Sequence, residues 1–480
     1  MHNSPRKLLP FPSSLPVSDS VSFAKIWFVL SLSILTFGYG VAVGKWGWFP
    51  HSFLDRAMDQ ARSAYTSWSP FAFDPTGTHD RVYEKGGTRP VRPDQVEPGL
   101  TLITSSWRWG ESEQLEPGAK LVDQRGNVVH QWQIDRTELF PGSTDLINSD
   151  PEKTIFHGTH LLPNGDLLLL LSYIGVVRVD ACGEVVWRVK QGNHHSIARA
   201  DDGSFWIPGT SQERTTSTPM YPNGLPGIEE PIWMDVALNI SRDGKVLNKT
   251  NIYDVLYKNN MKRYIAKAFS PYPENVLNNV DRISNDYIHL NDLEPISSEV
   301  AEEYPTFEKG DLVASLRHPS LVFVFDPDSK EIKWHSSEEF THQHDPDFIG
   351  EGWIGVLDNN SDFSDRGQML GGSRIVAVQP HSDSVEVRFP TSNAEPFYTS
   401  TRGKWQKLEN GNMLLTEANA GRVAEVNQSG RTVWEWIHKP YRSEVPVVTK
   451  GTRYDLTRED VASWPCSSGD SLRTSLANQP

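Results

Sequence analysis

Cysteine is almost missing from this chain: there are two in 480 residues, Cys182 and Cys466. They form no CxxC pair and no zinc-ligand spacing, so no zinc module or dithiol motif is present. Two arrangements stay open for them, a disulfide outside the cytosol or two independent thiols. Positive charge is scarce as well. Lys and Arg number 46 against 61 Asp and Glu, a net charge of −15. Such a surface repels phosphate backbones and excludes nucleic acid as a partner. An anionic substrate would need cationic groups supplied locally. No P-loop or Rossmann glycine pattern occurs either, so no nucleotide cofactor is expected.

Against these shortages stands one long uncharged run. Ile26–Gly44 reads IWFVLSLSILTFGYGVAVG, close to the ~20 residues that cross a bilayer as a helix. Lys25 and Lys45 bracket it, Arg6 and Lys7 precede it, and Trp46, Trp48 and Phe49 follow as an interfacial aromatic belt. A long charged leader and the lack of a small-x-small site favour an uncleaved signal anchor over a cleaved signal peptide. The expectation is a single-pass membrane protein with its bulk on the periplasmic, lumenal or extracellular side. Sequons at Asn239, Asn248, Asn359 and Asn427 matter only in a host that glycosylates.

Aromatics are plentiful, with 16 Trp, 14 Tyr and 20 Phe, and the chain repeats itself loosely. The clearest copies are Leu161–Val189 and Leu408–Trp436. Each runs from an Asn-Gly turn through an apolar strand and a second strand to a glycine turn and a strand with Trp near its end. Weaker copies occupy Pro98–Ile134, Ala200–Asn248, Gly310–Trp334 and Gly350–Phe389. Six units of about four strands each make an all-β, six-bladed propeller. Radial closure protects strand edges that two stacked sandwiches, the alternative, would handle differently. Two stretches break the pattern: the loop Thr210–Trp233, and Lys249–Tyr287, whose NIYDVLYKNNMKRYIAKAF suits an amphipathic helix. The expected layout is a cytoplasmic segment over 1–25, an anchor over 26–44, a linker over 45–95, the propeller over 96–440 and a tail over 441–480. The tail's role is open, with Pro446–Lys450 suited to add a strand.

Aligning the units on their first glycine turn superposes Gly165, Gly203 and Gly352. Eight residues before each stand His157, His195 and His344, and His289 opens HLNDLEPI in a similar role. This position begins the innermost strand of a blade, so these imidazoles face one channel. His157 is the weakest member, because HGTHLLPNG offers His160 as an alternative. His194 and His342 adjoin register positions. Imidazole clusters bind metals or do nucleophilic and acid–base work. No carboxylates stand in register with them, and the cation Arg317 opposes a metal dication, so anion binding is favoured and no metal is expected.

At this point HHSIARADDGSFWIPG, HLNDLEPI, SLRHPSLVFVFD, HQHDPDFIGEGWIGVLDNN and LENGNMLLTEANAGRVAEVNQSGRTVWEW become informative as an ordered set. Together they resemble the arylsulfotransferase family, of the bacterial type that needs no nucleotide sulfate donor, over roughly residues 95–440. The resemblance implies a sulfuryl group moved from an aryl sulfate ester to a phenolic acceptor through a transient sulfohistidine. His344 matches the nucleophile, and His195, His289 and Arg317 match the other catalytic groups. His194, Asn291 and His342 are the candidate substrate contacts, and His157 is a bystander. No cofactor is implied. Alternatives are a non-catalytic membrane-anchored scaffold and a metal-dependent hydrolase or lyase. The long insertion between His289 and Arg317, the anchor and the unexplained His318 are departures from the family pattern.

Overall fold

Five consecutive leucines, Leu167–Leu171, form a strand with no exposed residue. In the computed structural model this strand has a blade on either side. Leu167, Leu169 and Leu171 pack toward one neighbouring blade, and Leu168 and Leu170 toward the other. The period of two along a strand therefore serves two separate cores. The structure describes residues 23–46, 78–110, 115–142, 156–269, 286–362, 364, 366–441 and 443–466. Two units are distinguished, residues 1–62 and 63–480.

The larger unit is a ring of six antiparallel sheets. Blade 1 pairs Lys450–Tyr454, Leu100–Trp107, Glu116–Val122 and Val128–Gln133, from the axis outward. Blade 2 runs through Phe156–Leu161, Leu167–Leu171, Gly175–Val179 and Val185–Val189. Blade 3 uses Ala198–Arg199, Phe205–Thr210, Asp235–Ile240 and Val246–Asn251. Blade 4 uses Leu290–Pro295, Leu312–Leu316, Leu321–Phe325 and Ile332–Ser336. Blade 5 uses His344–Phe348, Ile354–Asp358, Arg374–Gln379 and Ser384–Phe389. Blade 6 uses Lys404–Lys407, Met413–Glu417, Arg422–Val426 and Thr432–Ile437. A hydrophobic cluster fills each interface between neighbouring blades, the one between blades 6 and 1 included. Middle strands are buried on both faces, while outer strands such as Ser384–Phe389 are mostly exposed.

Strand pairing crosses both boundaries expected from the sequence. Gly87–Pro90, inside the expected linker, adds a fifth, outermost strand to blade 6. Lys450–Tyr454, inside the expected tail, is the innermost strand of blade 1. The ring is thus closed by segments from both ends of the chain. An unpaired inner strand would leave a row of backbone donors and acceptors facing the channel. After this strand, the helix Arg458–Ala462 starts from a Thr457 capping box, Trp464 packs against His130 and Trp132, and Cys466 forms a disulfide with Cys182 of blade 2.

The insertion after blade 3 also departs from expectation. In place of one amphipathic helix it forms two short ones, Ile252–Lys258 and Lys262–Phe269. Asn251 caps the first by accepting from the backbone N–H groups of Tyr253 and Asp254. Asn260, at φ 58°, turns the chain between them, a conformation asparagine tolerates better than most residues. In the smaller unit, Phe23–Trp46 is a single helix. None of the helices among the described residues is long and apolar enough to cross a membrane.

Candidate active site

The histidines sit where inner strands begin. His344 is the first residue of its strand, His289 immediately precedes Leu290–Pro295, His157 is second in Phe156–Leu161, and His195 lies three residues ahead of Ala198. All lead in from one end of the channel, so residues far apart in sequence become neighbours. The His195 ring lies 4.3 Å from His157, 4.8 Å from His289 and 6.3 Å from His344, centroid to centroid. His194 donates to or accepts from His195 through their Nδ1 atoms at 2.7 Å, and Tyr173 packs tilted against His194. His318 stacks on His289 at 4.8 Å. The backbone is strained here: His195, His289, His342 and Arg402 all have φ between 55° and 65°. Left-handed non-glycine residues cost about 1–3 kcal/mol each and concentrate at functional sites.

Asn359 decides the chemistry of His344. Its Nδ2 donates to the carbonyls of Thr399 and Arg402, each at 2.8 Å. That orientation turns Oδ1 toward His344 Nδ1, at 2.6 Å. An amide oxygen can only accept, so Nδ1 carries the hydrogen and Nε2 keeps its lone pair. Burial, then the charge of Arg317, hold His344 well below the ordinary histidine range, against the opposing Asn359 bond. Its imidazole is therefore neutral at neutral pH, as a nitrogen nucleophile must be.

His194, His195 and His318 are kept neutral in the same way. Burial and the neighbouring His289 push His194 and His318 down to about 3. Burial and the surrounding His157, His289, His194 and His344 lower His195. His289 Nδ1 meets the Asp286 carboxylate at 2.6 Å. Two buried guanidinium groups supply positive charge. Arg317 follows the strand Leu312–Leu316 and donates its backbone N–H to His289 O. Arg402 lies near enough for burial and the Arg317 charge to lower it to about 10. Two such cations beside neutral imidazoles suit an oxyanion.

Further along the inner strands the channel turns acidic. Lys404 forms ion pairs with Asp292 and Asp345. Burial, opposed by Lys404, pushes Asp292 up to about 6. Burial, with Asp292 and Asp345 beside it, pushes Glu294 up to about 8. A register shift between His344 and Asp347 lets the consecutive His344 and Asp345 each find a partner. Among the described residues no group of three or more His, Cys, Asp or Glu side chains is arranged to hold a metal ion.

His344, His195, His289 and Arg317, spread over about 150 residues of sequence, meet in this pocket, and His194 adjoins them. Asn291 is fully buried, with Nδ2 committed to Gln343 O at 2.7 Å and Oδ1 without a hydrogen-bond partner. His342 is half-buried, its backbone N–H on Ser320 Oγ. His157, set aside from the sequence as a bystander, packs directly on His195, whereas His160 faces Phe205. Sequence reasoning missed Asn359, Asp286 and Arg402. Extending the glycine alignment to Gly411 would have put Gly403 in register and Arg402 beside it. Asn359 also lies in a glycosylation sequon, yet it is buried with its amide fully engaged, so it is no acceptor in the folded chain.

A family model described as arylsulfotransferase (ASST) matches residues 158–439, more than half of the chain. No curated protein matches. Among solved structures, a protein of unknown function from Bacteroides caccae aligns at 12% identity, over 71% of this chain and 94% of that one, with TM-score 0.43. Streptogramin B lyase aligns at 8% identity over 74% and 98%, with TM-score 0.38. TolB from Acinetobacter baumannii aligns at 10% over 72% and 63%, with TM-score 0.35. Likeness at this level carries no inference about the chemistry of this pocket.

Proposed function

Since the chain belongs to the arylsulfotransferase family, we propose that it moves a sulfuryl group from an aryl sulfate ester to a phenolic acceptor by way of His344, without a nucleotide donor. The observation that carries this reading is the tautomer of His344: Asn359 holds Nδ1–H and leaves Nε2 with a free lone pair. In the first half-reaction Nε2 attacks sulfur, the N–S bond forms, and the S–O bond to the aryl group breaks with its electron pair leaving on oxygen. Arg317, with Arg402 beside it, neutralises the sulfuryl oxygens as charge builds in the transition state. In the second half-reaction the acceptor phenol takes the group and the pair returns to Nε2. His195 and His289 stand beside the leaving and entering oxygens, where an imidazole can pass a proton to one and take it from the other.

The test uses 4-nitrophenyl sulfate and phenol with no nucleotide present. Wild-type chain should release nitrophenolate and form phenyl sulfate, and His344→Ala should lose at least about 10³-fold, as expected when a nucleophile is removed. Release that persists unchanged in His344→Ala would overturn the mechanism. Absence of turnover with any aryl sulfate would favour a scaffold.

The propeller is further proposed to be tethered to a membrane on its extracytoplasmic side. Two observations support this. Ile26, Phe28, Leu35 and Phe37 of the helix Phe23–Trp46 are all exposed, and exposed apolar side chains of this kind suit a lipid surface. Two of the helix hydroxyls, Ser33 and Thr36, bond back to Val29 O and Leu32 O, which satisfies these groups within the helix. The Cys182–Cys466 disulfide belongs in an oxidising compartment.

A further inference from the structure

Resting on the sulfotransferase reading, we infer that Asp286 is a positioning residue that makes His289, rather than His195, the proton carrier of the reaction. Asp286 arrives at the end of the insertion after blade 3 and lies three residues before His289, with Oδ2 at 2.6 Å from Nδ1. A carboxylate there requires Nδ1–H, so any proton exchanged with substrate moves through Nε2. Tyr173 OH also approaches Asp286 Oδ2, at 3.4 Å.

A buried carboxylate needs a reason to stay ionised, and the neighbourhood supplies one. Asp286 faces Asp235, Tyr253, Tyr173, His194, His289 and His318. Two acids this close do not both ionise at neutral pH. Burial, then the Asp286 charge, raises Asp235 well above its ordinary range. Its Oδ1 accepts from the Leu290 backbone, and its Oδ2 has no hydrogen-bond partner among the described residues. Burial alone would raise Asp286 as well, yet the charge and hydrogen bond of His289 outweigh it and hold this carboxyl below its ordinary range. The negative charge of the pair therefore sits on the acid that touches His289.

Among the described residues His195 has no such counter-ion. Its Nδ1 faces another imidazole, His194, and its ring is surrounded by His157, His289 and His344. Among the described residues no carboxylate is hydrogen-bonded to His195, so a proton placed on it faces the imidazoles around it. The proton inventory of the reaction then balances on one dyad. As the S–O bond breaks, His289 Nε2–H passes its proton to the departing phenolate oxygen, and the neutral imidazole remains hydrogen-bonded to Asp286. When the acceptor phenol attacks the sulfohistidine, its O–H proton goes to His289 Nε2, and Asp286 stabilises the imidazolium that forms. No proton is gained or lost over the cycle.

The experiment compares Asp286→Asn with wild type in single-turnover release of phenol from phenyl sulfate and of nitrophenol from 4-nitrophenyl sulfate. Nitrophenolate leaves readily without a proton, whereas phenolate depends on one. Removing assistance by a general acid typically costs about 10²–10⁴-fold where the proton is needed, so the loss should be at least about tenfold greater with phenyl sulfate. Asp286→Glu should restore part of it. Equal losses on both esters would mark a merely structural role and overturn the inference. If wild-type chain itself shows no turnover, the sulfotransferase reading has failed, and the dyad is read without activity by ¹⁵N-histidine NMR. One imidazole Nδ1–H held by a carboxylate should be present in wild type and lost in Asp286→Asn; identical spectra would overturn the assignment.

Discussion

His344 has two neighbours that act on it in opposite directions. Arg317 disfavours its protonation, while the hydrogen bond from its Nδ1–H to Asn359 favours it. The carbonyls of Thr399 and Arg402 keep the Asn359 amide from flipping. Replacing Asn359 by Ala frees the tautomer and rotation of His344 and leaves two buried carbonyls unpaired. We expect kcat to fall about 10- to 100-fold, the usual cost of removing a group that orients a reactive imidazole, with KM changed much less. Unchanged kcat in a folded Asn359→Ala chain would show that the imidazole does not depend on this partner. At this scale the sequence exposed residues that share a register, such as His195 and His344. It could not expose Asn359 in its role, because the amide reaches His344 from the far end of the neighbouring strand, at a place no repeat position marks. Asp286 was hidden for a related reason: it belongs to an insertion that no other blade shares.

The element that holds the ring together is the strand Lys450–Tyr454. It pairs over its full length with Leu100–Trp107, and Lys450 Nζ donates to Thr159 O of blade 2. The disulfide from Cys466 to Cys182 pins the segment that follows it. This crosslink spans 284 residues, so it removes much freedom from the unfolded chain. Replacing both cysteines by Ser should lower unfolding free energy by about 2–5 kcal/mol, read as a lower denaturant midpoint. A midpoint equal to that of the oxidised wild type would show that strand pairing alone secures the ring. The middle strands of the blades were legible in the sequence because both their faces are buried, giving apolar runs such as Leu321–Phe325. The closing strand was not, since Lys450–Tyr454 alternates between partly exposed and buried residues and carries no apolar run.

For the whole molecule, the six interblade clusters make the propeller one cooperative structure, while the helix Phe23–Trp46 belongs to a separate unit. A tethered enzyme would meet its aryl substrates at or near a membrane surface. We expect the full-length chain to remain with membranes through alkaline carbonate extraction, and a chain lacking residues through Trp46 to be released. Full-length chain recovered in the soluble fraction would sink the anchor.

The sequence by itself determined the number of blades and the end of the channel where the histidines lie. These follow from local pattern: apolar alternation, glycine turns and a repeated spacing. Only the tertiary structure decided how the ring closes, which nitrogen of His344 is free and which histidine has a counter-ion. Those depend on contacts between residues far apart in the chain, such as His344 with Asn359 and the paired strands Lys450–Tyr454 and Leu100–Trp107. A hydrogen bond that selects a tautomer, or a carboxylate that fixes a charge, exists only once folding has brought both partners out of water and into reach.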